Sequence, residues 1–152
     1  MTDLFERILF LKKTGIFSEV LTDDLRYIAQ ALEEDMFHAG ERVFDINEQG
    51  DYLYIVTKGK IGISIDPDPS KQRFIVFIGP GEAFGEMNLI DHLPRSATAH
   101  VIEDTEVLTL EKSRLRGLLL SYPEISFGMM RALSLRIREG HARNVLIQKS
   151  KE

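Results

Sequence analysis

The chain has 152 residues, 43% of them apolar and 28% charged, which is the composition of an ordinary globular protein of one domain. It contains no cysteine and no apolar run long enough to cross a membrane, which excludes disulfide frameworks, thiolate metal sites and membrane insertion. The net charge is −5, but residues 112–152 carry 9 bases and 3 acids, so an acidic body precedes a basic end. The acidic body argues against nucleic-acid binding, and the N-terminus is unlike a signal peptide, so we expect a cytoplasmic protein.

Residues 1–35 have the pattern of an N-terminal helical segment. Leu4, Ile8 and Leu11 recur at helical spacing, which predicts one amphipathic helix. Thr22, followed by two aspartates, is typical of a helix N-cap with acids in the first turn, and it predicts a second helix. The apolar face of that second helix comprises Leu25, Ile28, Ala29 and Leu32.

Residues 36–111 change to short β-rich runs that are separated by turn residues. The predicted strands are Arg42–Asp45, Asp51–Lys58, Lys60–Ile65, Arg73–Ile78, Ala97–Ile102 and Glu106–Leu110. Turn signals such as Lys58-Gly59 and Glu103-Asp104 separate them, and this spacing is typical of a sandwich or jelly roll. The run Phe74 to Ile78 is apolar throughout, so we expect a strand that is covered on both faces.

Residues 112–152 return to a helical pattern. Pro123 suits the first turn of a long helix, where its missing N–H group costs nothing. The apolar face of this helix continues to Ile137, lapses around Gly140 and resumes only at residues 145–147. We expect the lapse to weaken the helix there, because glycine costs about 1 kcal/mol relative to alanine inside a helix.

The segment that follows the apolar run Phe74 to Ile78 has the features of an anion site. Gly85 allows close approach of the backbone, and a single helical turn from Glu86 to Ile90 would present free N–H groups. Arg95 is the only Lys or Arg in residues 74–111. It needs a partner, which is either an anionic ligand or one of three nearby carboxylates. Those carboxylates belong to Glu82, Glu86 and Asp91.

This segment resembles the phosphate-binding cassette of cyclic nucleotide-binding domains, which occur in catabolite-activator-type regulators and in regulatory subunits of cyclic AMP-dependent kinase. The matching residues are Phe84-Gly85-Glu86, Met87, Leu89 and Pro94-Arg95-Ser96-Ala97-Thr98. The resemblance extends over nearly the whole chain and includes Gly50-Asp51, which otherwise reads as a plain turn. It implies an α+β fold, in which a double-stranded β-helix, or jelly-roll β-roll, is flanked by helices. The roll would span residues 36–111 with the cassette at 84–98 and a short phosphate-binding helix inserted, followed by hinge and lid helices at 112–152.

The resemblance also implies which residues bind the ligand. They are Gly85, Glu86, Met87, Asn88, Arg95, Ser96, Ala97 and His141. Arg95 would pair with the phosphate oxygens, and Glu86 would accept a hydrogen bond from the ribose 2′-hydroxyl. Ser96 would bond the phosphate, the base or both, while backbone N–H groups of the other cassette residues complete the phosphate cradle. His141 would stack on the base or hydrogen-bond to it, beneath a lid formed by the last helix.

One cassette residue departs from the family pattern. Asn88 stands where the family usually has a small residue, often alanine. Its side chain would either narrow the pocket or add a donor to it.

These features favour a non-enzymatic, stand-alone sensor that binds cyclic AMP or cyclic GMP and needs no cofactor. Movement of the C-terminal helix would signal to a partner protein or effector domain, and a homodimer through that helix is a further candidate. Two alternatives remain at this point. One is a degenerate module that binds no nucleotide and acts by protein contacts. The other is a jelly-roll metal enzyme, although the histidines include no His-x-His pair that would favour a metal site.

Overall fold

The computed structural model describes residues 2–151, and of residues 145–151 it describes the helical backbone only. Two helices precede the sheet, α1 (Leu4–Lys13) and α2 (Thr22–Ala31). The strands are β1 (Glu33–Phe37), β2 (Arg42–Phe44), β3 (Tyr52–Ser64), β4 (Phe74–Ile78), β5 (Ala83–Phe84) and β6 (Thr98–Glu111). Two helices follow the sheet, α3 (Lys112–Ser121) and α4 (Glu124–Lys151). Single 3₁₀ turns lie at Gly15–Phe17 and at Glu86–Leu89, and we call the second one the cassette turn.

The strands form one antiparallel sheet that is flanked by the helices. The order along the sheet is β1-β6-β3-β4, with β2 also paired to β6 and β5 to β3. Strands β3 and β6 are paired over almost their whole length, from Tyr52 opposite Glu111 to Ser64 opposite Thr98. This arrangement confirms the expected α+β fold, in which helices before and after the strands flank a β-roll, although the sheet is not closed.

Two expected turns lie inside long strands. Lys58-Gly59 belongs to β3 and Glu103-Asp104 belongs to β6, and the β3–β6 register shifts around Lys58. The positive φ of Gly59, +106°, belongs to this irregularity and does not end the strand. The prediction of separate strands at these positions was therefore wrong, because a β-bulge has the same residue signature as a tight turn.

Two helix assignments also differ from the sequence prediction. Strand β1 begins at Glu33, so the helical pattern expected to run through residue 35 ends earlier. Thr22 is the first residue of α2, and the N-cap is Leu21, whose side chain makes no capping hydrogen bond. The apolar pattern predicted for residues 145–147 concerns side chains that lie outside those described.

Strand β4 is not covered on both faces, as its sequence had suggested. Ile75 is 62% exposed, Phe77 is 47% exposed and Val76 is 46% exposed. The reason is topological, because β4 lies at the end of the strand order and pairs with β3 alone. In this protein the continuous apolar sequence therefore belongs to an exposed edge strand.

The buried apolar residues form two clusters. The first joins the helices to one end of the sheet, with Phe17, Leu25 and Leu110 fully buried. The second fills the roll and includes Phe84, whose ring stacks on Tyr54 with centroids 5.0 Å apart. Burial of an aromatic ring contributes about 1.5–3 kcal/mol, so Phe84 holds in place the strand from which the cassette (residues 84–98) begins. No helix in residues 2–151 is long and apolar enough to cross a bilayer.

Candidate functional site

A cleft of about 360 Å³ lies between the cassette and the roll. All the cassette residues predicted to bind ligand line it, namely Gly85, Glu86, Met87, Asn88, Arg95, Ser96 and Ala97. The remaining wall is apolar and consists of Phe44, Ile63, Val76 and Phe84. His141 is not among the lining residues, since it lies exposed on α4. The structure therefore gathers the cassette residues around one cleft but does not bring His141 to it.

The residues of the apolar wall come from separate strands, and sequence reasoning did not identify them. The structure identifies residues from β2, β3, β4 and β5, and the exposed edge strand contributes Val76. Alternation along a strand shows that one face is buried, but it does not show which strands converge on one cleft.

The cassette turn begins at a glycine because the backbone requires one there. Gly85 is the N-cap residue with φ +77°, a conformation that other L-residues rarely adopt. A Cβ at this position would also lie 2.6 Å from Nη1 of Arg95. The N–H groups that open a helical turn have no partner within it, so the turn can donate to an anion in the cleft.

Arg95 is held in place by neutral oxygen atoms. Its Nη1 donates to the Gly85 carbonyl at 3.1 Å and to Oδ1 of Asn88 at 2.9 Å. Its Nη2 donates to the Tyr52 carbonyl at 2.9 Å. The guanidinium carbon lies 4.0 Å from the centroid of the Phe44 ring, a cation–π contact. These contacts fix the group at the base of the cleft.

Arg95 makes no ion pair with any carboxylate in residues 2–144, although the charges of Asp51 and Glu48 act on it from farther away. The residue is only 3% exposed, yet none of the ion pairs in this part of the chain includes it. Its Nε is buried without a hydrogen-bond partner. Burial lowers the pKa of the guanidinium from its ordinary value, but arginine remains charged in proteins. A buried charge without a direct ion-pair partner is costly, so the arrangement suits an anion.

The carboxylates near Arg95 in sequence have other partners. Glu82 accepts from the Gly79 N–H at 3.0 Å, Asp91 from the Leu93 N–H at 3.1 Å, and Glu86 from Nη1 of Arg136 at 3.3 Å. The alternative in which one of them neutralises Arg95 is therefore not what the structure shows.

Two residues of the site were missed by sequence reasoning. Arg136 reaches from α4 to Glu86, so the last helix touches the cassette. Gly50 lies against Arg95, and a Cβ there would lie 2.8 Å from Cδ and closer still to Nε. Nothing in the sequence distinguishes such a steric requirement from an ordinary turn glycine, and the contact between Arg136 and Glu86 depends on how α4 packs.

The described side chains offer no metal site. No group of three or more His, Cys, Asp or Glu is placed to hold a metal ion in this part of the chain. The metal-enzyme alternative therefore has no centre among these residues.

Comparison with known proteins places these features in context. A family model described as "Cyclic nucleotide-binding domain" matches residues 34–122, more than half of the chain. A CRP-like cAMP-activated global transcriptional regulator from Mycobacterium tuberculosis is 30% identical over 84% of this chain and 57% of its own. The N-terminal domain of a transcriptional regulator from Streptomyces coelicolor has a TM-score of 0.78 and 26% identity, covering 89% of this chain and 94% of that one. The regulatory domain of Toxoplasma gondii PKA, in co-crystal with cAMP, has a TM-score of 0.69 and 26% identity over 78% of this chain and 46% of that one. The chain spans little more than half the length of the first curated relatives it matches.

Proposed function

The chain belongs to the cyclic nucleotide-binding domain family, and from that premise we propose that it is a regulatory module that binds a cyclic mononucleotide in the cleft beside Arg95. The observation that carries this proposal is the buried guanidinium of Arg95, which has neutral acceptors and no ion-pair partner among the described residues. A cyclic nucleotide has one negative charge, delocalised over its phosphate, and would neutralise one fixed cation.

The remaining cassette residues suit the rest of such a ligand. Glu86 is engaged through Oε1 only, so its second oxygen is available to accept a hydrogen bond from the ribose 2′-hydroxyl. The N–H groups at the start of the cassette turn and at Ala97 would complete the phosphate cradle. Ser96 is exposed at the mouth of the cleft, where its hydroxyl is available to the phosphate or the base.

We favour cyclic AMP as the ligand and keep cyclic GMP as the second candidate. The Mycobacterium tuberculosis relative is described as cAMP-activated, and the Toxoplasma gondii neighbour was crystallised with cAMP. The hydroxyl of Ser96 would serve either purine, so the cassette itself does not exclude cyclic GMP.

The signal would pass through α4. Arg136 of this helix donates to Glu86, so a ligand at Glu86 changes the surroundings of a helix contact. His141 stays a predicted base contact that requires α4 to move toward the cleft. The receiver would be a protein partner or a neighbouring effector domain. A homodimer through α4 is consistent with its exposed apolar side chains, which include Phe127, Met130, Leu135 and Ile137. The cytoplasmic location remains a prediction from the composition.

Isothermal titration calorimetry tests the binding proposal. The chain is titrated with cyclic AMP, with cyclic GMP and with adenosine, which lacks the phosphate. We expect saturable binding of at least one cyclic nucleotide and none of adenosine. Absence of binding to both cyclic nucleotides would favour the degenerate module that acts by protein contacts alone.

A further inference from the structure

Asn88 is the cleft residue whose side chain hydrogen-bonds to the guanidinium of Arg95. Its Oδ1 accepts from Nη1 at 2.9 Å, and its Nδ2 donates to the Leu93 carbonyl at 2.5 Å. The residue is 6% exposed and lines the same cleft. Because a guanidinium only donates and a carbonyl only accepts, these two partners fix which end of the amide faces Arg95.

The hydrogen bonds of Arg95 show what a ligand has to displace. Nη1 has two N–H bonds, and the Gly85 carbonyl and Oδ1 of Asn88 occupy both, whereas Nη2 uses only one of its two for the Tyr52 carbonyl. A phosphate that pairs with both terminal nitrogens therefore has to displace an acceptor of Nη1. Nε has no partner, but it is buried against Gly50, which does not line the cleft. The acceptors on Gly85 and Tyr52 are backbone atoms, which cannot withdraw without moving the cassette turn or β3. Among residues 2–144, Asn88 supplies the one acceptor of Arg95 that a side-chain rotation removes.

We propose that Asn88 is an internal competitor for the ligand. In the free protein its Oδ1 occupies the N–H of Arg95 that a ligand oxygen takes, and binding of the ligand displaces it. This inference rests on the proposed function, because it requires an anionic ligand at Arg95.

The competition selects ligands by charge. Arg95 is charged in both bonds, but only a phosphate oxygen adds the attraction between opposite charges, so the phosphate outcompetes the amide oxygen of Asn88. The phosphate also neutralises the buried cation, which the amide does not. A neutral nucleoside offers only uncharged donors and acceptors, and these gain no charge attraction over the amide already in place. A ligand therefore needs a negative charge to displace the side chain of Asn88 from Arg95.

Two substitutions at this position have opposite expected effects. In Asn88→Ala the competitor is absent, so the ligand-free protein melts at a lower temperature and binds cyclic AMP about tenfold more tightly. In Asn88→Asp a carboxylate pairs permanently with Arg95, so the ligand-free protein melts higher and binds cyclic AMP at least about 100-fold more weakly. Gln30→Ala is the matched control, because Gln30 carries a similar amide, is exposed on α2 and does not line the cleft. We expect it to leave both measurements unchanged.

Calorimetry with cyclic AMP and thermal unfolding without ligand are measured on the full chain and all variants. Weaker binding by Asn88→Ala, or unchanged binding by Asn88→Asp, would overturn the proposal while leaving the proposed function intact. If the unsubstituted chain binds neither cyclic nucleotide, the proposed function fails and this inference fails with it. Asn88→Ser, which is too short to span Leu93 and Arg95, replaces the alanine variant if that one does not fold, with the same expected signs.

Discussion

Gly50 leaves the space that the guanidinium of Arg95 fills. A Cβ on residue 50 would lie 2.8 Å from Cδ of Arg95 and closer still to Nε and Cζ. Arg95 cannot retreat, because its N–H donates to the Glu48 carbonyl at 2.7 Å and its carbonyl accepts from the Asn47 N–H at 2.8 Å. Gly50 is not among the glycines with positive φ, so its role here is to leave space and not to supply an unusual conformation.

Substitution of Gly50 should therefore displace the cation without removing it. We expect Gly50→Ala to weaken cyclic AMP binding by at least about tenfold, because the added methyl group pushes Arg95 out of its hydrogen-bonded position. Gly117→Ala is the matched control, since a Cβ at that helical position meets no atom within 4 Å. The measurement is calorimetry on both variants. If Gly50→Ala binds cyclic AMP as tightly as the unsubstituted protein does, ligand binding does not depend on the position of the Arg95 guanidinium.

Glu86 should determine whether the ligand needs its 2′-hydroxyl. Glu86→Gln keeps the shape and one acceptor but removes the charge, so it should weaken cyclic AMP binding several-fold and barely affect 2′-deoxy cyclic AMP. Glu82→Gln is the control, because Glu82 accepts from the Gly79 N–H and does not line the cleft. Both nucleotides are titrated against each protein. Equal losses for the two nucleotides would mean that Glu86 does not contact the 2′-hydroxyl.

The last helix should respond to ligand. Residues 138–144 of α4 are almost entirely exposed, so little burial offsets their ordering entropy of about 1–2 kcal/mol per residue. A bound purine would offer them a surface, and ligand would favour the docked helix. We expect cyclic AMP to slow amide hydrogen exchange over residues 138–144. Slower exchange confined to the cassette would instead describe a rigid binding module.

Loss of the Arg136–Glu86 contact should also change hydrogen exchange in α4. The two side chains are 47% and 25% exposed, and exposed pairs contribute about 1 kcal/mol at most. Arg136→Ala should therefore leave global stability nearly unchanged but speed exchange in α4 before ligand is added. Arg131→Ala changes the same charge at an exposed position of α4 that has no ion pair among the described residues. We expect it to leave the exchange rates as they are.

His100 should make stability depend on pH. It is 5% exposed, its Nε2 lies 3.1 Å from Oγ of Ser64, and its ring meets Phe74 edge-on. Burial lowers the pKa of His100 below its ordinary value of 6.5, and Arg42 lowers it further. The unfolded chain then binds more protons than the folded one, so the free energy of unfolding falls as the pH decreases below about 6.5.

Chemical denaturation at several pH values between 5 and 8 measures this effect. The comparison is with His100→Gln, which does not titrate in that range. We expect the unsubstituted protein to lose more stability on acidification than the variant does. Identical pH profiles would show that protonation of His100 is not coupled to folding.

Local features of this protein were predictable from its sequence, and contacts between distant segments were not. The cassette residues are nearly contiguous, so the motif that identifies them also implies that they lie together around one cleft. Their individual roles toward a ligand remain predictions. Arg136 and Glu86 are 50 residues apart, and their pairing follows from the packing of α4. The exposure of β4 depends likewise on its edge position, which the apolar sequence Phe74–Ile78 does not reveal.

The same distinction explains the errors in strand boundaries. Glycine and charged residues near Lys58 resemble a turn, but β3 continues through them because it stays paired with β6 before and after this point. A strand pair of that length tolerates a bulge, whereas an isolated segment with the same residues would turn. Tertiary pairing therefore decided these positions, and local propensity did not.

The central claim is that Arg95 is the cation that binds the phosphate of a cyclic nucleotide, and its substitution tests this most directly. Two charge-assisted hydrogen bonds contribute roughly 1.5–3 kcal/mol each, so Arg95→Ala should weaken binding of cyclic AMP by at least about 100-fold. Arg95→Lys should also lose affinity, because an ammonium group does not reproduce the planar guanidinium. Calorimetry on both variants, shown to be folded by thermal unfolding, gives the answer. Binding by Arg95→Ala within a few-fold of the unsubstituted protein would contradict the account.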